Sequence, residues 1–369
     1  MIFTKFEILH LKPKLKKAFE TSFGRFDHNE TLLVKSFTKE GLVGFGEAPA
    51  MQVPFYNYES SKIATLVLKE YILPQLLNKE INSVDELIKT YSPIRGHNMA
   101  KTGIEAAFWH IKSQEENKPL WALWGGVRKE VEAGISLGLE KSVEEILIKV
   151  EKVLAKGFKR IKIKIKPGMD VKVARSVREK FGNISLMLDA NSAYQLRDLP
   201  IFKELDQFNL LMIEQPLSYD DIIDHAKLQR EIKTPICLDE SIHSLDDARK
   251  AIESGACKII NIKPPRVGGF WQSKLMAELC EKNNIPVWCG GLLETGWGKA
   301  FNVHISSLNN FKLAGDTSGS DAYYTEDIIE PLMVVRANSQ IDVPQEGVGF
   351  QINQDALKRI TINTVEITS

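Results

Sequence analysis

The chain has 369 residues, of which 43% are apolar, and its 48 basic and 48 acidic residues give a formal net charge of zero. This balance argues against nucleic-acid binding and against attachment to an anionic membrane. The sequence has no apolar run of about 18 residues, as a membrane-spanning helix requires. Its start, MIFTKFEILHLKPKLKK, also lacks the apolar run and the cleavage site of a signal peptide. The length suits two domains, or one large domain with a cap.

The four cysteines show no CxxC spacing and lie in apolar surroundings; they are Cys237, Cys257, Cys280 and Cys289. Thiols in such surroundings are expected to be reduced and to belong to the core of a cytoplasmic protein. They are not expected to bind zinc or to act as nucleophiles.

Residues 1–125 are expected to form an α+β capping domain. Residues 31–48 read TLLVKSFTKEGLVGFGEA and predict a β-hairpin with its turn at residues 38–41. From Tyr58 to about Gln114 the apolar residues recur at intervals of three and four, which indicates amphipathic helices.

Residues 126–321 are expected to form a barrel, because short apolar runs alternate there with helical stretches such as SVEEILIKVEKVLAKG. The eight runs are VEAGISLGL, RIKIKIK, ISLMLDA, LLMIEQP, PICLDES, KIINIKP, IPVWCGG and FKLAGD. Such alternation predicts parallel strands with crossover helices, and eight units predict a (β/α)8-type, TIM-like barrel. A doubly wound open sheet is the alternative, but no GxGxxG follows the first run. Residues 322–369 leave the pattern and are expected to return to the capping domain.

The second run has lysines on one face and isoleucines on the other, since successive strand side chains point to opposite faces. Barrel strands are covered by helices outside and packed against one another inside. The isoleucines would therefore face the helices. Lys162 and Lys164 would face the interior, and Lys166 would leave at the end of the strand.

An ionisable residue stands at the C-terminal end of each run from the second to the sixth: Lys164, Asp189, Glu214, Asp239 and Lys263. Successive separations of 25, 25, 25 and 24 residues correspond to one strand–helix unit per step. We therefore expect these side chains at one level of the barrel face that forms active sites. Taken singly, such residues are as often helix caps, structural ion pairs or solvated surface groups.

Three adjacent carboxylates need a positive partner, and an all-oxygen ligand set suits a hard divalent ion, most simply Mg²⁺, for which Mn²⁺ can substitute. Two lysines flanking such a metal form a layout for removing a proton next to a carboxylate. The metal and one ammonium group would stabilise the enediolate, and a neutral lysine of lowered pKa would take the proton. The sequence therefore predicts a small carboxylate as the substrate.

The motifs KxK, LDAN, IEQP, LDES and NIKP resemble the enolase superfamily, in its muconate-lactonising-enzyme-like group. Further segments resemble the o-succinylbenzoate synthase and N-succinylamino acid racemase family of that group, and the likeness covers nearly the whole chain. These segments are TSFG (21–24), GHNMAKTGIEAAFW (96–109), DANSAY (189–194), TPICLDESI (234–242), VWCGGLLETGWGKAFN (287–302) and GDTSGSD (315–321).

The resemblance implies that Asp189, Glu214 and Asp239 bind Mg²⁺. It also implies that Lys164 is the base and that Lys162 lies beside it, near the substrate carboxylate.

Two reactions are compatible with these roles. In the synthase, Lys164 removes the α-proton of 2-succinyl-6-hydroxy-2,4-cyclohexadiene-1-carboxylate and returns it to the departing hydroxyl, on the route to menaquinone. In the racemase, Lys164 and Lys263 act from opposite faces of an N-acylated amino acid. A dipeptide epimerase is disfavoured because Asp316 and Asp321 have the wrong spacing for its substrate-reading element. A catalytically dead scaffold would lack at least one of the five ionisable residues, and none is missing.

The family also implies a mobile N-terminal lid, matched by residues 21–25 and 51–56, in which Gly24 would act as a hinge. The sequence GDTSGSD follows the eighth run and is expected either to bind an anion through its amides or to form a tight turn. The chain reads KPPR at Lys263 where racemase-like members read KPGR, so Pro265 is expected to stiffen that loop and Arg266 to reduce the proton affinity of Lys263. A homo-oligomer is implied as well. The predicted substrate contacts are Thr21, Gly24, Ser136, Asn191, Arg266 and Gly291.

Overall fold

The computed structural model describes residues 1–21 and 24–368, with the backbone alone for residues 19–21. The N-terminal part forms strands and then helices. Its strands are β1 (Phe3–Leu11), β2 (Lys14–Thr21), β3 (Gly24–His28), β4 (Thr31–Thr38) and β5 (Val43–Ala48). Its helices are α1 (Ser61–Val67), α2 (Val84–Tyr91), α3 (Asn98–Glu116) and α4 (Leu120–Trp124), and a π-helical turn and a 3-10 turn extend α1 to Gln75.

The predicted hairpin is confirmed. Strands β4 and β5 pair antiparallel from Leu32–Ala48 to Phe37–Val43, and Gly41 in the turn has a φ of 86°, in the left-handed region that glycine adopts at little cost. Helix α3 packs against this hairpin at close range, because a Cβ on Gly46 would lie 2.1 Å from the carbonyl oxygen of Gly103.

The central part alternates strands and helices. Its strands are β6 (Glu130–Glu132), β7 (Ile135–Leu137), β8 (Arg160–Lys164), β9 (Ser185–Asp189), β10 (Met212–Glu214), β11 (Ile236–Leu238), β12 (Ile259–Ile262) and β13 (Val287–Cys289). Its helices are α5 (Val143–Ala155), α6 (Val171–Phe181), α7 (Leu199–Leu205), α8 (Ile223–Glu231), α9 (Leu245–Ser254), α10 (Pro264–Val267), α11 (Phe270–Lys282) and α12 (Gly296–Ile305). Strands β7 to β13 form one parallel sheet in sequential order.

The eighth predicted run is not a ladder strand, which corrects the expected count. Residues 311–316 instead make single bridges to both edges of the curled sheet, from Gly315 to Ala133 and from Phe311 to Val287. The Gly315 amide donates to the Glu132 carbonyl (2.9 Å). The barrel is therefore closed by an irregular segment, and a continuous eighth strand is absent from the described part of the chain.

Serine caps begin two of the barrel helices. Ser142 Oγ accepts from the Glu145 amide (3.3 Å), and Ser244 Oγ accepts from the Asp247 amide (3.1 Å). Both helices have acidic residues in their first turn, where the helix dipole favours them, and α9 ends at Gly255 in the left-handed conformation.

The C-terminal segment returns to the first sheet. It comprises β14 (Ile329–Glu330), β15 (Gln340–Asp342), β16 (Gln351–Ile352), α13 (Gln354–Ile360) and β17 (Thr361–Thr368). Strand β17 pairs antiparallel with β1, so the four-stranded sheet of the cap has the order β17-β1-β4-β5. The predicted architecture, a barrel with an α+β cap completed by the C-terminal segment, is confirmed.

All four cysteines are buried free thiols, as expected for residues of the core. Within the described ranges, no helix has the length and apolarity needed to cross a bilayer.

Candidate active site

The register of the parallel sheet sets the level of each ionisable side chain. Lys164 pairs with Asp189, and Asp189 pairs with Glu214, in agreement with the equal spacing of the first two steps. Glu214 pairs with Cys237, so Asp239 lies two residues farther along its strand. The expectation of a single level is therefore wrong for Asp239.

Lys263 lies farther still toward the C-terminal end of the barrel strands. Cys237 pairs with Ile259, which is four residues before Lys263. Such offsets are the stagger that a tilted barrel sheet requires, and equal spacing along the chain does not report them.

The side chains converge in spite of this stagger. Lys162 Nζ lies 3.0 Å from Glu214 Oε2 and 3.6 Å from Asp189 Oδ2, and Lys164 Nζ lies 2.9 Å from the same Asp189 oxygen. Both lysines are buried, whereas Lys166 is exposed. As expected, Lys162 and Lys164 of the KxK strand face the barrel interior, and Lys166 lies outside it.

Asp239 is held by three groups. Lys263 Nζ lies 2.8 Å from Asp239 Oδ2, and the Tyr56 hydroxyl donates to Asp239 Oδ1 (3.0 Å). The guanidinium of Arg266 contacts the same Oδ1, while its Nε donates to the Ile242 carbonyl (2.7 Å). Arg266 is buried and does not line the cavity. Its predicted role as a substrate contact is therefore corrected to that of a partner of Asp239.

The carboxylates shift the acidities of their lysine neighbours. Burial would lower the pKa of Lys162, but Asp316, Glu214 and Asp189 together raise it above its usual range. Burial likewise would lower the pKa of Lys263, and the groups that raise it include Tyr56 and three carboxylates. The expected depression of the Lys263 proton affinity by Arg266 is therefore not seen in this arrangement.

The three carboxylates predicted to bind a metal ion, Asp189, Glu214 and Asp239, are engaged by lysines. As the side chains stand, no three His, Cys, Asp or Glu residues of the described chain are gathered closely enough to hold one, since the carboxylates turn to the lysines. Yet two buried oxygens, Asp239 Oδ2 and Glu240 Oε2, accept no hydrogen bond; the contact of Asp239 Oδ2 with Lys263 is an ion pair without hydrogen-bond geometry. Buried carboxylate oxygens that lack donors fit a hard cation.

Asp316 was not among the predicted catalytic, metal-binding or substrate-binding residues, although its spacing to Asp321 was used against a dipeptide epimerase. Its Oδ2 lies 2.6 Å from Lys162 Nζ, and its Oδ1 lies 2.6 Å from a guanidinium nitrogen of Arg160. Burial would raise the pKa of Asp316, but the two cations hold it well below its usual range. The signal was present, because Asp316 ends the eighth run as the other acids end theirs. The segment GDTSGSD was expected to bind an anion through its amides or to form a tight turn. It instead contributes the carboxylate of Asp316 to the site.

The weaker contact candidates have mixed outcomes. Asn191 Oδ1 contacts Lys164 Nζ, and its Nδ2 donates to Glu240 Oε1 (3.0 Å). Ser136 Oγ approaches Asp316 Oδ2 (3.4 Å), and Ser136 and Gly291 line the cavity.

The two predicted lid segments differ. Met51 and Tyr56 are buried and line the cavity, so residues 51–56 reach the site. The side chain of Thr21 and residues 22–23 lie outside the described part. Gly24 begins β3, and it is not among the residues that line the cavity.

One cavity collects most of these groups at the C-terminal end of the barrel strands. Its lining residues are Met51, Tyr56, Ser136, Lys162, Lys164, Asp189, Asn191, Lys263, Gly291, Leu292, Leu293, Glu294, Lys299, Asp316, Ser318 and Tyr323. Four lysines and a strip of apolar side chains together suit a small anionic molecule.

Two family models match the chain over most of its length. The model for the N-terminal domain of mandelate racemase and muconate lactonizing enzyme matches residues 4–125, and the enolase C-terminal domain-like model matches residues 145–356. The chain belongs to the mandelate racemase and muconate lactonizing enzyme family of the enolase superfamily. Members of this group use a divalent metal ion.

Individual members of the family are similar over almost the whole chain. An o-succinylbenzoate synthase of Geobacillus kaustophilus is 46% identical over 353 residues, covering 95% of this chain and 94% of the relative. An N-succinylamino acid racemase of Thermus thermophilus is 43% identical, with 96% of each chain covered. The crystal structure of an enolase superfamily member from Listeria innocua superposes with a TM-score of 0.96 at 38% identity, covering 100% of this chain and 99% of that one.

Proposed function

We propose that this chain is an o-succinylbenzoate synthase. It dehydrates 2-succinyl-6-hydroxy-2,4-cyclohexadiene-1-carboxylate to 2-succinylbenzoate, on the route to menaquinone. The observation that carries the proposal is the placement of Lys164 at the end of β8 and of Lys263 directly after β12, each in contact with one of three buried carboxylates. Similarity to relatives that bear the name of this enzyme supports the choice of substrate.

The chain's own residues account for the proton balance. Neutral Lys164 takes the proton from the carbon that bears the carboxylate. The resulting ammonium then gives that proton to the departing hydroxyl, so that water leaves and the ring becomes aromatic. Lys164 returns to its neutral form, and one base therefore suffices.

Lys162 and Lys263 contribute charge at fixed positions. Lys162 stays cationic through its pair with Asp316, and its ammonium group faces the negative charge that develops on the substrate. Lys263, directly after β12, supplies a second cation. Asn191, in contact with Lys164, orients the base.

Asp189, Glu214 and Asp239 would hold Mg²⁺, which Mn²⁺ can replace. The bound ion supplies a Lewis acid for the carboxylate of the substrate. Tyr56 and Arg266 fix the orientation of Asp239 from behind.

The second candidate is N-succinylamino acid racemase. It is favoured by the same two lysines, one ending β8 and one directly after β12, and by the relatives of that name. In that reaction the neutral lysine on one face takes the α-proton, and the ammonium group of the other lysine gives a proton to the opposite face of the α-carbon. Pro265 is the second residue of a short buried helical turn that follows Lys263 directly, which is compatible with a fixed second base.

The synthase is tested by following the loss of diene absorbance in the presence of Mg²⁺ and in EDTA. Rapid turnover that EDTA abolishes supports it. An intact protein that binds the metal and leaves the diene unchanged contradicts it. Exchange of the α-proton of N-succinylamino acids in D₂O then tests the racemase. We also propose that the protein is a homo-oligomer and that it is cytoplasmic. The four free thiols support the cytoplasmic location.

A further inference from the structure

Lys299 is a buried cation in the wall of the active-site cavity that the proposed chemistry leaves unused. It lies on α12, after the seventh strand, and is 3% exposed. The three other lysines of the cavity each pair with a carboxylate. Among the described residues Lys299 makes no such pair. Its Nζ has a long contact with the Gly319 carbonyl (3.4 Å) and lies 5.4 Å from the ring centre of Tyr323.

The carboxylates whose charge acts on Lys299 include Asp327, Glu294 and Glu47. Asp327 Oδ1 accepts from the Gly296 amide (2.8 Å), but its buried Oδ2 accepts no hydrogen bond among the described residues. Glu294 accepts hydrogen bonds from the Leu292 amide and from Asn302 (2.8 and 3.0 Å), and Glu47 accepts from Thr295 and the Gly298 amide. Burial lowers the pKa of Lys299 although these carboxylates act in the opposite direction. A buried cation without an ion-pair partner is costly, and a ligand that supplies a carboxylate removes that cost.

We propose that Lys299 binds the second carboxylate of a dicarboxylate substrate, the one remote from the reacting carbon. This inference rests on the proposed function, whose substrates carry such a group at the end of a succinyl arm. The cavity has a reacting end formed by Lys162, Lys164 and Lys263, and Lys299 is a separate cation in its wall. Tyr323 lines the same wall and gives the arm an aromatic surface.

The test compares two ligands that differ only at the end of the arm. 2-Succinylbenzoate ends in a carboxylate, and 2-butanoylbenzoate ends in a methyl group. Calorimetry measures their dissociation constants for the Mg²⁺-loaded wild type and for Lys299→Met and Lys299→Arg. We expect the wild type to prefer the succinyl compound by about tenfold to a hundredfold, as one charge-assisted contact provides. Lys299→Met abolishes this preference, and Lys299→Arg keeps most of it.

The matched control is Lys101→Met. Lys101 is also buried, donates to a backbone carbonyl and lies outside the cavity wall. Its replacement is expected to leave the preference unchanged. If Lys299→Met fails to fold, the proposal is decided by whether the wild type and Lys299→Arg prefer 2-succinylbenzoate to 2-butanoylbenzoate.

Three outcomes overturn the assignment. Equal losses for both ligands in Lys299→Met would mean that Lys299 only balances Asp327 and its neighbours. Equal binding of both ligands by the wild type would remove the subsite while leaving the proposed function in place. If the wild type binds neither these compounds nor the N-succinyl and N-butanoyl forms of an amino acid, the proposed function and the inference fail together.

Discussion

The pair formed by Asp316 and Lys162 is the residue-scale feature on which the charge of the site depends. Asp189 and Glu214 also contact Lys162, but both are expected to turn to the metal. Asp316 then remains the carboxylate partner of Lys162, and it shares the charge of Arg160.

Asp316→Asn is therefore expected to lower kcat/KM by about tenfold to a hundredfold, because Lys162 loses a fixed partner. It is also expected to lower the free energy of unfolding by about 3 kcal/mol or more, because two buried cations lose their shared anion. Steady-state kinetics and thermal melting measure the two effects. Asp321→Asn, an exposed acid in the same segment, is the control and should change neither. An Asp316→Asn enzyme with wild-type kcat/KM would contradict the assignment.

At the scale of elements, buried glutamates join the cap to the barrel. Glu105 of α3 accepts from the Trp271 amide at the start of α11 (2.8 Å) and from Trp109 Nε1 (2.9 Å). Glu47 of β5 accepts from the Thr295 and Gly298 amides at the start of α12. Burial raises the pKa of each to about 7, although the hydrogen bonds lower it.

These raised values predict a loss of stability as pH rises. Each glutamate keeps its proton in the folded state up to about 7, whereas its ordinary value is 4.5. The stabilisation is therefore complete below pH 4.5 and is lost as pH rises to 7. For one carboxyl group it amounts to about 3 kcal/mol at most.

Glu105→Gln should flatten this dependence, because it keeps the acceptor and removes the titration. Urea unfolding of wild type and variant at pH 5 and pH 8 gives the difference. A variant whose free energy of unfolding falls as steeply as that of the wild type would show that Glu105 is ionised throughout the range.

The helix cap of α9 allows a simpler check. Ser244→Ala removes the acceptor for the Asp247 amide and is expected to cost about 1 kcal/mol of stability while leaving kcat/KM unchanged. Thermal melting and the diene assay measure the two quantities. Ser254→Ala, at the end of the same helix, is the control. A larger loss for Ser254→Ala would contradict the role of the cap.

Elements of local origin could be predicted from the sequence. The hairpin at residues 31–48 and the KxK strand follow from turn chemistry and periodicity, which act between near neighbours. The level of Asp239 could not be predicted, because register between parallel strands is set by the whole barrel. The partners of Arg266 and Asp316 were missed for the same reason, since both contacts join residues far apart in the chain.

For the molecule as a whole, the cap and the barrel build one site. The cap supplies Met51 and Tyr56 to the cavity, and the strand ends supply the lysines and carboxylates. Strand β17 ties the end of the chain to the first strand of the cap. Catalysis should therefore require the complete chain.

Lys164 is the proposed base of a metal-dependent dehydration. The most direct measurement is the initial rate of diene loss with Mg²⁺ for the wild type, Lys164→Ala and Lys166→Ala. The last is a matched control, because Lys166 is an exposed lysine two residues beyond Lys164. We expect Lys164→Ala to lose at least about a thousandfold in rate while Lys166→Ala stays near the wild type. A Lys164→Ala enzyme that dehydrates the diene at the wild-type rate would contradict the account.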